Sequence, residues 1–234
     1  MNIYLQLAAA LLPAILLGLY VWYRDPHKEP FIWLLRAFLL GVIISFPVVF
    51  VENFFNNLLF GGGEPTTLFG STVKAFFVAA LPEEGAKLFA LWAILHRNKQ
   101  FDEHFDGIVY AVFVSLGFAA IENVSYVIMS GEAWASTAIV RALLAVPGHY
   151  AFAILMGYYY ALYFFVEKSP KNAAAILFMP ILAHGVYDAI AMSGNINPIL
   201  GGISFFVLVY FCIKLQKHAQ GKINDLILKN NSIL

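Results

Sequence analysis

Residues 31–51 read FIWLLRAFLLGVIISFPVVFV, an apolar run in which Arg36 is the single charged residue. A helix that crosses the hydrocarbon core of a bilayer needs about 20 predominantly apolar residues. This run is long enough to do so. A water-soluble domain rarely contains so long an apolar stretch.

The rest of the chain repeats this pattern. Further apolar stretches of similar kind lie at residues 3–23, 73–95, 107–129, 137–164, 173–193 and 199–215. The composition agrees, because 61% of the 234 residues are hydrophobic and only 12% are charged, which is more apolar surface than a soluble domain of this length could bury. The sequence therefore predicts an all-α, polytopic transmembrane helix bundle of about seven helices.

Charge in the connecting loops predicts the orientation of the bundle. Outside the predicted spans, Lys and Arg occur only in alternate connections and in the C-terminal segment, at Arg24, Lys28, Arg97, Lys99, Lys168, Lys171, Lys217, Lys222 and Lys229. The loops around 52–72, 130–136 and 194–198 contain neither residue type. Cytoplasmic loops are enriched in Lys and Arg, so we expect the N-terminus outside and the C-terminus in the cytoplasm. We expect residues 1–216 to form a single transmembrane helical domain and 217–234 a short cytoplasmic tail.

Net charge and cysteine content exclude some functions. Fourteen Lys and Arg balance fourteen Asp and Glu, so charge does not indicate a nucleic-acid partner. Cys212 is the sole cysteine, and an internal disulfide is therefore impossible.

Several predicted spans contain ionisable residues, which cost at least about 2.5 to 3.5 kcal/mol each at the centre of a membrane helix. They are Glu83, Glu84, Lys87, Glu122, Arg141, His149, His184 and Asp188. Four of the spans deliver one such group about seven to twelve residues from the predicted outer end, a layer roughly 10 to 18 Å deep. We expect these side chains to share one cavity.

Helical spacing groups some of these residues on common faces. Glu83 and Lys87 are four residues apart, Glu84 and Lys87 three, and His184 and Asp188 four, so each set can meet on one face of its helix. A structural ion pair with Lys87 would account for one carboxylate but not for two. The other must be protonated, bound to a metal or paired with another helix. The pairing of His184 with Asp188 suits helix packing as well as the orientation of a catalytic or metal-bound imidazole.

Other polar residues have competing interpretations. Glu122 and Asn123 could be a hydrogen-bonded pair that holds helices together. His149 could be a satisfied core histidine, and Arg141 could extend towards the interface. Glu52 lies where we expect the second helix to reach the outer interface, which indicates a solvated helix end. Three prolines also lie within four residues upstream of Glu83, His149 and His184, at Pro82, Pro147 and Pro180, where they can bend the helices and open space.

Four motifs in order resemble the PrsW family of intramembrane proteases, which is distantly similar to the CAAX prenyl-protease and bacteriocin-immunity group. They are the stretch from Pro82 to Lys87 (EExxK), the run from Gly117 to Asn123 (GFxxxEN), His149 with Gly157 downstream, and the stretch from His184 to Asp188 (HGxYD). The resemblance covers about residues 75–190.

The resemblance implies cleavage of a membrane-anchored protein within or beside the bilayer, with an anti-sigma factor in envelope-stress signalling as one expected substrate. It implies a multi-pass protein of a bacterial plasma membrane, with lipid as the surrounding medium. The site residues we expect are Glu83, Glu84, Lys87, Glu122, Asn123, His149, His184 and Asp188. The oligomeric state is not indicated by the sequence.

Two chemical schemes fit these residue types, since no Ser, Thr or Cys is convincingly placed beside a histidine as a nucleophile. In the first, Glu83 or Glu84 and a histidine deprotonate water directly, and Asn123 or a second histidine holds the oxyanion. In the second, a divalent metal, expected to be Zn²⁺, lowers the pKa of its bound water. The expected metal ligands are Glu122, His149 and His184.

Two other classes of protein would also keep charged residues inside a membrane. A proton-coupled transporter or channel could relay protons through the same groups, but we find no inverted repeat between the halves of the chain. A non-catalytic immunity or scaffold protein would have no reason to bear their insertion cost. We expect an enzyme, a peptidase.

Overall fold

The computed structural model describes residues 2–231, which form a bundle of helices. The helices are α1 (Ile3–Arg24), α2 (Phe31–Phe60), α3 (Leu68–Val73), α4 (Leu81–Leu95), α5 (Asp106–Met129), α6 (Trp134–Val140), α7 (Val146–Ala161), α8 (Pro170–Ser193) and α9 (Pro198–Asn231). A short 3₁₀ turn, Gly131–Ala133, precedes α6, and π-helical segments follow α3, α6 and α7 at Lys74–Ala80, Arg141–Ala145 and Leu162–Val166.

Within the described residues, six helical stretches are long and apolar enough to cross a membrane. The remaining long stretch, residues 68–95, joins α3 to α4 and corresponds to the third predicted span. It contains four charged residues, Lys74, Glu83, Glu84 and Lys87, spread along its length. The prediction of a polytopic transmembrane helix bundle is confirmed.

Two helices extend beyond their predicted ends. We expected the second span to end at residue 51, but α2 continues to Phe60, and Glu52 lines a cavity instead of lying at a helix end. We expected a separate tail from residue 217, but α9 continues through this position to Asn231. Its Ala219, Ile223 and Leu226 are fully buried in one stripe and pack into the core. Residues 232–234 of the expected tail lie outside the described residues.

The centre of the bundle is α5, which is buried along most of its length and packs against α1, α2, α4 and α7. Glycines allow α2 and α5 to approach each other closely. A Cβ atom on Gly117 would lie 2.0 Å from the carbonyl oxygen of Phe38, and one on Gly41 would lie 1.9 Å from that of Val114. Small residues at helix crossings let membrane helices gain packing contacts that larger side chains would prevent. This close packing fixes the position of α5.

Two prolines mark changes in helical geometry next to the predicted site. Pro82 and Pro147 lie in the first turns of α4 and α7, and a π-helical segment comes directly before each helix. Proline has no N–H to donate to the preceding turn, and a π-helical turn accommodates the interruption by widening the helix. Pro180 lies within α8 without such a segment. Two of the three prolines that we expected to bend a helix are therefore accompanied by a change in backbone geometry.

Candidate active site

Ionisable side chains from four helices meet inside the bundle. We call this group the cavity cluster: Glu83, Glu84 and Lys87 of α4, Glu122 of α5, His149 of α7, and His184 of α8. The expectation that these helices would bring their charged groups to one place agrees with this arrangement. The cluster forms one continuous network of hydrogen bonds and ion pairs.

Lys87 lies at the centre of the network and is almost completely buried. Its Nζ lies 2.8 Å from Glu83 Oε2, 2.8 Å from Glu84 Oε1 and 3.2 Å from His149 Nδ1. The ring of Phe118 covers the ammonium at 4.4 Å from its centroid. One lysine thus contacts both adjacent carboxylates, and the helical spacing in the sequence allows both contacts.

The contacts of His149 define its tautomer. An ammonium group can only donate hydrogen bonds, so Nδ1 of His149 accepts from Lys87 and Nε2 carries the proton. Nε2 lies 2.7 Å from Glu122 Oε2, which accepts that proton in a hydrogen bond. A carboxylate that holds the far nitrogen of an imidazole orients the ring and makes the near nitrogen a better ligand.

Glu122 is in turn held by Arg141, whose Nη2 lies 3.1 Å from Glu122 Oε2. The same guanidinium donates from Nε to Asn123 Oδ1 at 2.7 Å, and Asn123 Nδ2 donates to the carbonyl of Ala10 in α1 at 2.6 Å. Asn123 is fully buried and does not line the cavity. The structure therefore places Asn123 between α5 and α1, away from the position expected for a group that contacts a substrate oxyanion.

His184 joins the network from α8. Its Nδ1 lies 2.9 Å from Glu84 Oε1, and its Nε2 lies 3.2 Å from Asp188 Oδ2. The ring stacks on Phe152 with 4.7 Å between centroids. The second carboxylate of the adjacent pair, Glu84, is therefore paired across helices, one of the three states that the sequence left open.

The cluster borders a cavity of about 870 Å³. Glu83, Glu122, His149, His184 and Asp188 line it, while Glu84 and Lys87 lie behind them. Residues of the loops at 61–67 and 194–197 also line the cavity, so it lies towards the end of the bundle that we expect to face outwards. Of the two adjacent carboxylates, only Glu83 reaches the space in which a substrate could bind.

One group of side chains in the described part of the chain has the spacing of a metal site. One ligand atom from each of Glu83, Glu84 and His149 lies within 4.8 Å of the others. Two carboxylates and an imidazole are a donor set that suits Zn²⁺ and similar ions. The residues present thus fit a divalent metal. The Lys87 ammonium contacts all three residues, so a metal ion bound by them would have to displace it.

This group differs from the set expected from the sequence, which was Glu122, His149 and His184. His149 belongs to both sets. Glu122 and His184 instead bind members of the group from outside, Glu122 through His149 and His184 through Glu84. Residue types and helical spacing could not show which of these side chains come within metal-binding distance of one another.

One cavity residue was misinterpreted from the sequence. We expected Glu52 at a solvated helix end, but its side chain lines the cavity from α2, opposite α8. A signal was available, because Ser45, Glu52 and Asn56 recur at helical spacing on one face of an otherwise apolar helix, and all three line the cavity. Polar residues that recur on one face of an apolar run therefore do not mark the end of the helix.

The sequence profile described as "PrsW family intramembrane metalloprotease" matches residues 29–215. The chain belongs to this family. The profile includes all four motifs and every residue of the cavity cluster. The resemblance to this family, predicted from those motifs, is confirmed.

Curated relatives agree with the family profile. The chain is 37% identical to Protease PrsW of Bacillus subtilis, with 92% of this chain and 95% of that protein covered. It is 34% identical to Protease PrsW of Geobacillus kaustophilus, with 92% of each covered, and 39% identical to that of Clostridioides difficile, with 78% and 77% covered. No solved structure matches the chain.

Membership of the PrsW family establishes the general activity. The chain is an intramembrane protease, a peptidase, and a multi-pass membrane protein. The family is one of metalloproteases, which supports a metal requirement, and its substrate is a membrane-embedded protein.

Proposed function

We propose that the cavity cluster is the proteolytic centre and that it hydrolyses a peptide bond of a membrane-anchored protein in the adjoining cavity. The observation that carries this proposal is the convergence of carboxylates and imidazoles from four helices at the wall of one cavity. Burying such groups in a membrane protein is costly, and they are kept mainly where they are paired and functional.

Glu83 is the proposed proton acceptor. Lys87 contacts its Oε2, so Oε1 stays available on the side that lines the cavity. As the oxygen of a water molecule bonds to the substrate carbonyl carbon, Glu83 takes a proton from that water. It passes this proton to the leaving nitrogen as the carbon–nitrogen bond breaks.

Negative charge develops on the carbonyl oxygen during this attack, and donors must face it. Arg141 lines the cavity, and its guanidinium carries more N–H groups than its contacts with Asn123 and Glu122 use, so it can supply a donor. Lys87 and Asp188 act behind this layer, because Lys87 contacts both carboxylates of α4 and Asp188 contacts the ring of His184.

A divalent metal, which we propose to be zinc, would be held by Glu83, Glu84 and His149. When bound, the metal supplies Lewis acidity, which polarises a carbonyl group and makes water easier to deprotonate. Glu122 would keep Nδ1 of His149 directed towards this site through its bond to Nε2.

We also propose that the protein lies in a bacterial plasma membrane with its cavity towards the extracytoplasmic side. Lys and Arg are absent from the loops at the cavity end, which supports this orientation. We propose a single-span membrane protein of the anti-sigma-factor type as substrate, on the basis of the motif resemblance.

Purified protein in liposomes, mixed with single-span candidate substrates, tests the proposal. We expect cleavage that stops on addition of a chelator and returns with Zn²⁺. Elemental analysis should find near-stoichiometric metal in the wild type, loss of metal in His149→Ala, and retention in the control His218→Ala, where the histidine is exposed on α9. Full cleavage by metal-free protein, or by His149→Ala, would contradict the proposed centre.

A further inference from the structure

The charges that line the cavity are almost all paired. Five acidic residues line it: Glu52, Glu64, Glu83, Glu122 and Asp188. Four of these have a basic partner within 3.2 Å. The pairs are Glu64 with Lys74 at 2.7 Å, Glu83 with Lys87 at 2.8 Å, Glu122 with His149 at 2.7 Å and with Arg141 at 3.1 Å, and Asp188 with His184 at 3.2 Å.

Glu52 is the exception. Among the described residues, its carboxylate has neither an ion-pair partner nor a hydrogen-bond donor, although it lines the same cavity. Glu83 and Glu122 act on it as like charges across the cavity, while Lys87 and His184 act on it as opposite charges without contacting it. This part of the wall therefore presents a carboxyl group that no basic side chain of the described residues contacts.

A second unpartnered acceptor lies one helical turn further along α2. Asn56 follows Glu52 by four residues, so the two side chains share a helix face, and both line the cavity. Oδ1 of Asn56 is buried and has no donor among the described residues. A buried acceptor without a donor costs about 1 to 3 kcal/mol, so this face is stabilised by any bound group that brings a donor.

We propose that Glu52 and Asn56 form the substrate-recognition wall of the protease, selecting a substrate that places a hydrogen-bond donor side chain, preferentially Lys or Arg, near the scissile bond. This inference rests on the proposed function, because it concerns the substrate of the same cavity. A basic side chain donates to both acceptors and stabilises the ionised form of Glu52. An acidic side chain at the same position meets repulsion from Glu83 and Glu122.

The test uses a single-span substrate that the wild type cleaves in liposomes. A guest residue, Lys, Gln or Glu, replaces each of the six residues on either side of the cut in turn, and kcat/KM is measured for each. At one or more positions we expect the wild type to prefer Lys over Glu by about 10-fold or more. Glu52→Gln should reduce this preference to about 3-fold or less, and Glu52→Lys should invert it.

Glu132→Lys is the matched control. Glu132 is exposed in the loop before α6 and does not line the cavity, so this variant makes the same change in net charge without changing the wall. It should keep the wild-type preference. If Glu52→Lys does not fold, the guest-residue preference of Glu52→Gln decides the test, because glutamine keeps the size of the side chain. A wild type without preference at any position, or a preference unchanged in Glu52→Gln, would overturn the inference.

Cross-linking separates failure of this inference from failure of the proposed function. A photoreactive residue in place of Asn53, which is exposed and lines the cavity, reports substrate binding without any cleavage. We expect a higher yield for Lys-guest than for Glu-guest substrates, with the order reversed by Glu52→Lys. If no substrate is cleaved but Lys-guest substrates still cross-link more than Glu-guest substrates, the proposed function fails and the proposed recognition wall is supported. Equal cross-linking yields for the two kinds of substrate would contradict the recognition wall.

Discussion

Two groups of buried ionisable residues lie at opposite ends of this bundle, and they differ in what surrounds them. The cavity cluster joins acids to basic groups at the wall of an 870 Å³ cavity. The second group, which we call the basal cluster, comprises Asp25, Glu29, Asp106 and Tyr110, together with the amide of Asn98, near the loops at residues 25–30 and 96–105. It does not line that cavity.

The basal cluster is held by neutral donors. Asp106 Oδ2 accepts backbone N–H groups of Asp102 at 3.0 Å and Glu103 at 2.7 Å, and Tyr110 donates its hydroxyl to Glu29. Asn98 donates to the Tyr110 oxygen at 3.3 Å. These bonds tie the loop after α1 to α5 and to the loop after α4. Burial of acidic groups alone thus does not identify a catalytic site, because access to a cavity and pairing with basic groups distinguish the two clusters.

The largest effect on stability should come from Lys87→Met. This change leaves two adjacent buried carboxylates without their shared cation, and breaking a buried pair typically costs about 3 to 5 kcal/mol. The midpoint of unfolding in detergent should fall accordingly. The control Lys214→Met removes an exposed lysine of α9 and should change stability by about 0.5 kcal/mol or less. Equal midpoints for the two variants would show that Lys87 does not stabilise the cavity cluster.

At the basal cluster, Tyr110→Phe should lower stability without lowering catalysis. It removes the donor to Glu29 and the acceptor for Asn98, which costs roughly 1 to 3 kcal/mol when the remaining groups stay buried. Cleavage in liposomes should proceed at the wild-type rate at a temperature where the variant is folded. Tyr4→Phe, at a largely exposed tyrosine, serves as control. A folded Tyr110→Phe protein with impaired cleavage would show that the basal cluster also contributes to catalysis, which would contradict the distinction between the two clusters.

The smallest effect is a dependence of stability on pH. Burial raises the pKa of Glu29 to about 7 and that of Asp25 to about 6. Because both carboxyls hold their protons more tightly when folded, their contribution is fully present below about pH 4. It is lost as the pH rises towards about 7, by on the order of 1 kcal/mol per group. Unfolding midpoints between pH 4 and 8 should show this decrease, and Glu29→Gln should reduce it. A slope unchanged by Glu29→Gln would contradict this assignment.

The sequence predicted the helices and the cavity cluster because both follow from local rules. Apolar length defines a span, and spacing of three or four residues places Glu83, Glu84 and Lys87 on one face. The cost of charge inside a membrane then indicated that His149 and His184 belonged to the same place.

These local rules do not predict contacts between different helices. The bond from Asn123 to α1 depends on the close packing of α1 and α5, which spacing within one helix does not contain. A glutamate is expected both at a membrane surface and in an internal cavity, so the sequence did not show which of these environments Glu52 occupies. The length of α9 was underestimated because its polar residues concealed the buried stripe from Ala219 to Leu226.

The most direct test of the whole account compares Glu83→Gln with Glu29→Gln, the same chemical change in the two clusters. Cleavage in liposomes and the unfolding midpoint are measured for both. We predict that Glu83→Gln stays folded and loses about 10²-fold or more in cleavage rate, since Gln cannot accept the proton. We predict that folded Glu29→Gln cleaves at the wild-type rate. A folded Glu83→Gln protein that cleaves as fast as the wild type would show that the cavity cluster is not the proteolytic centre.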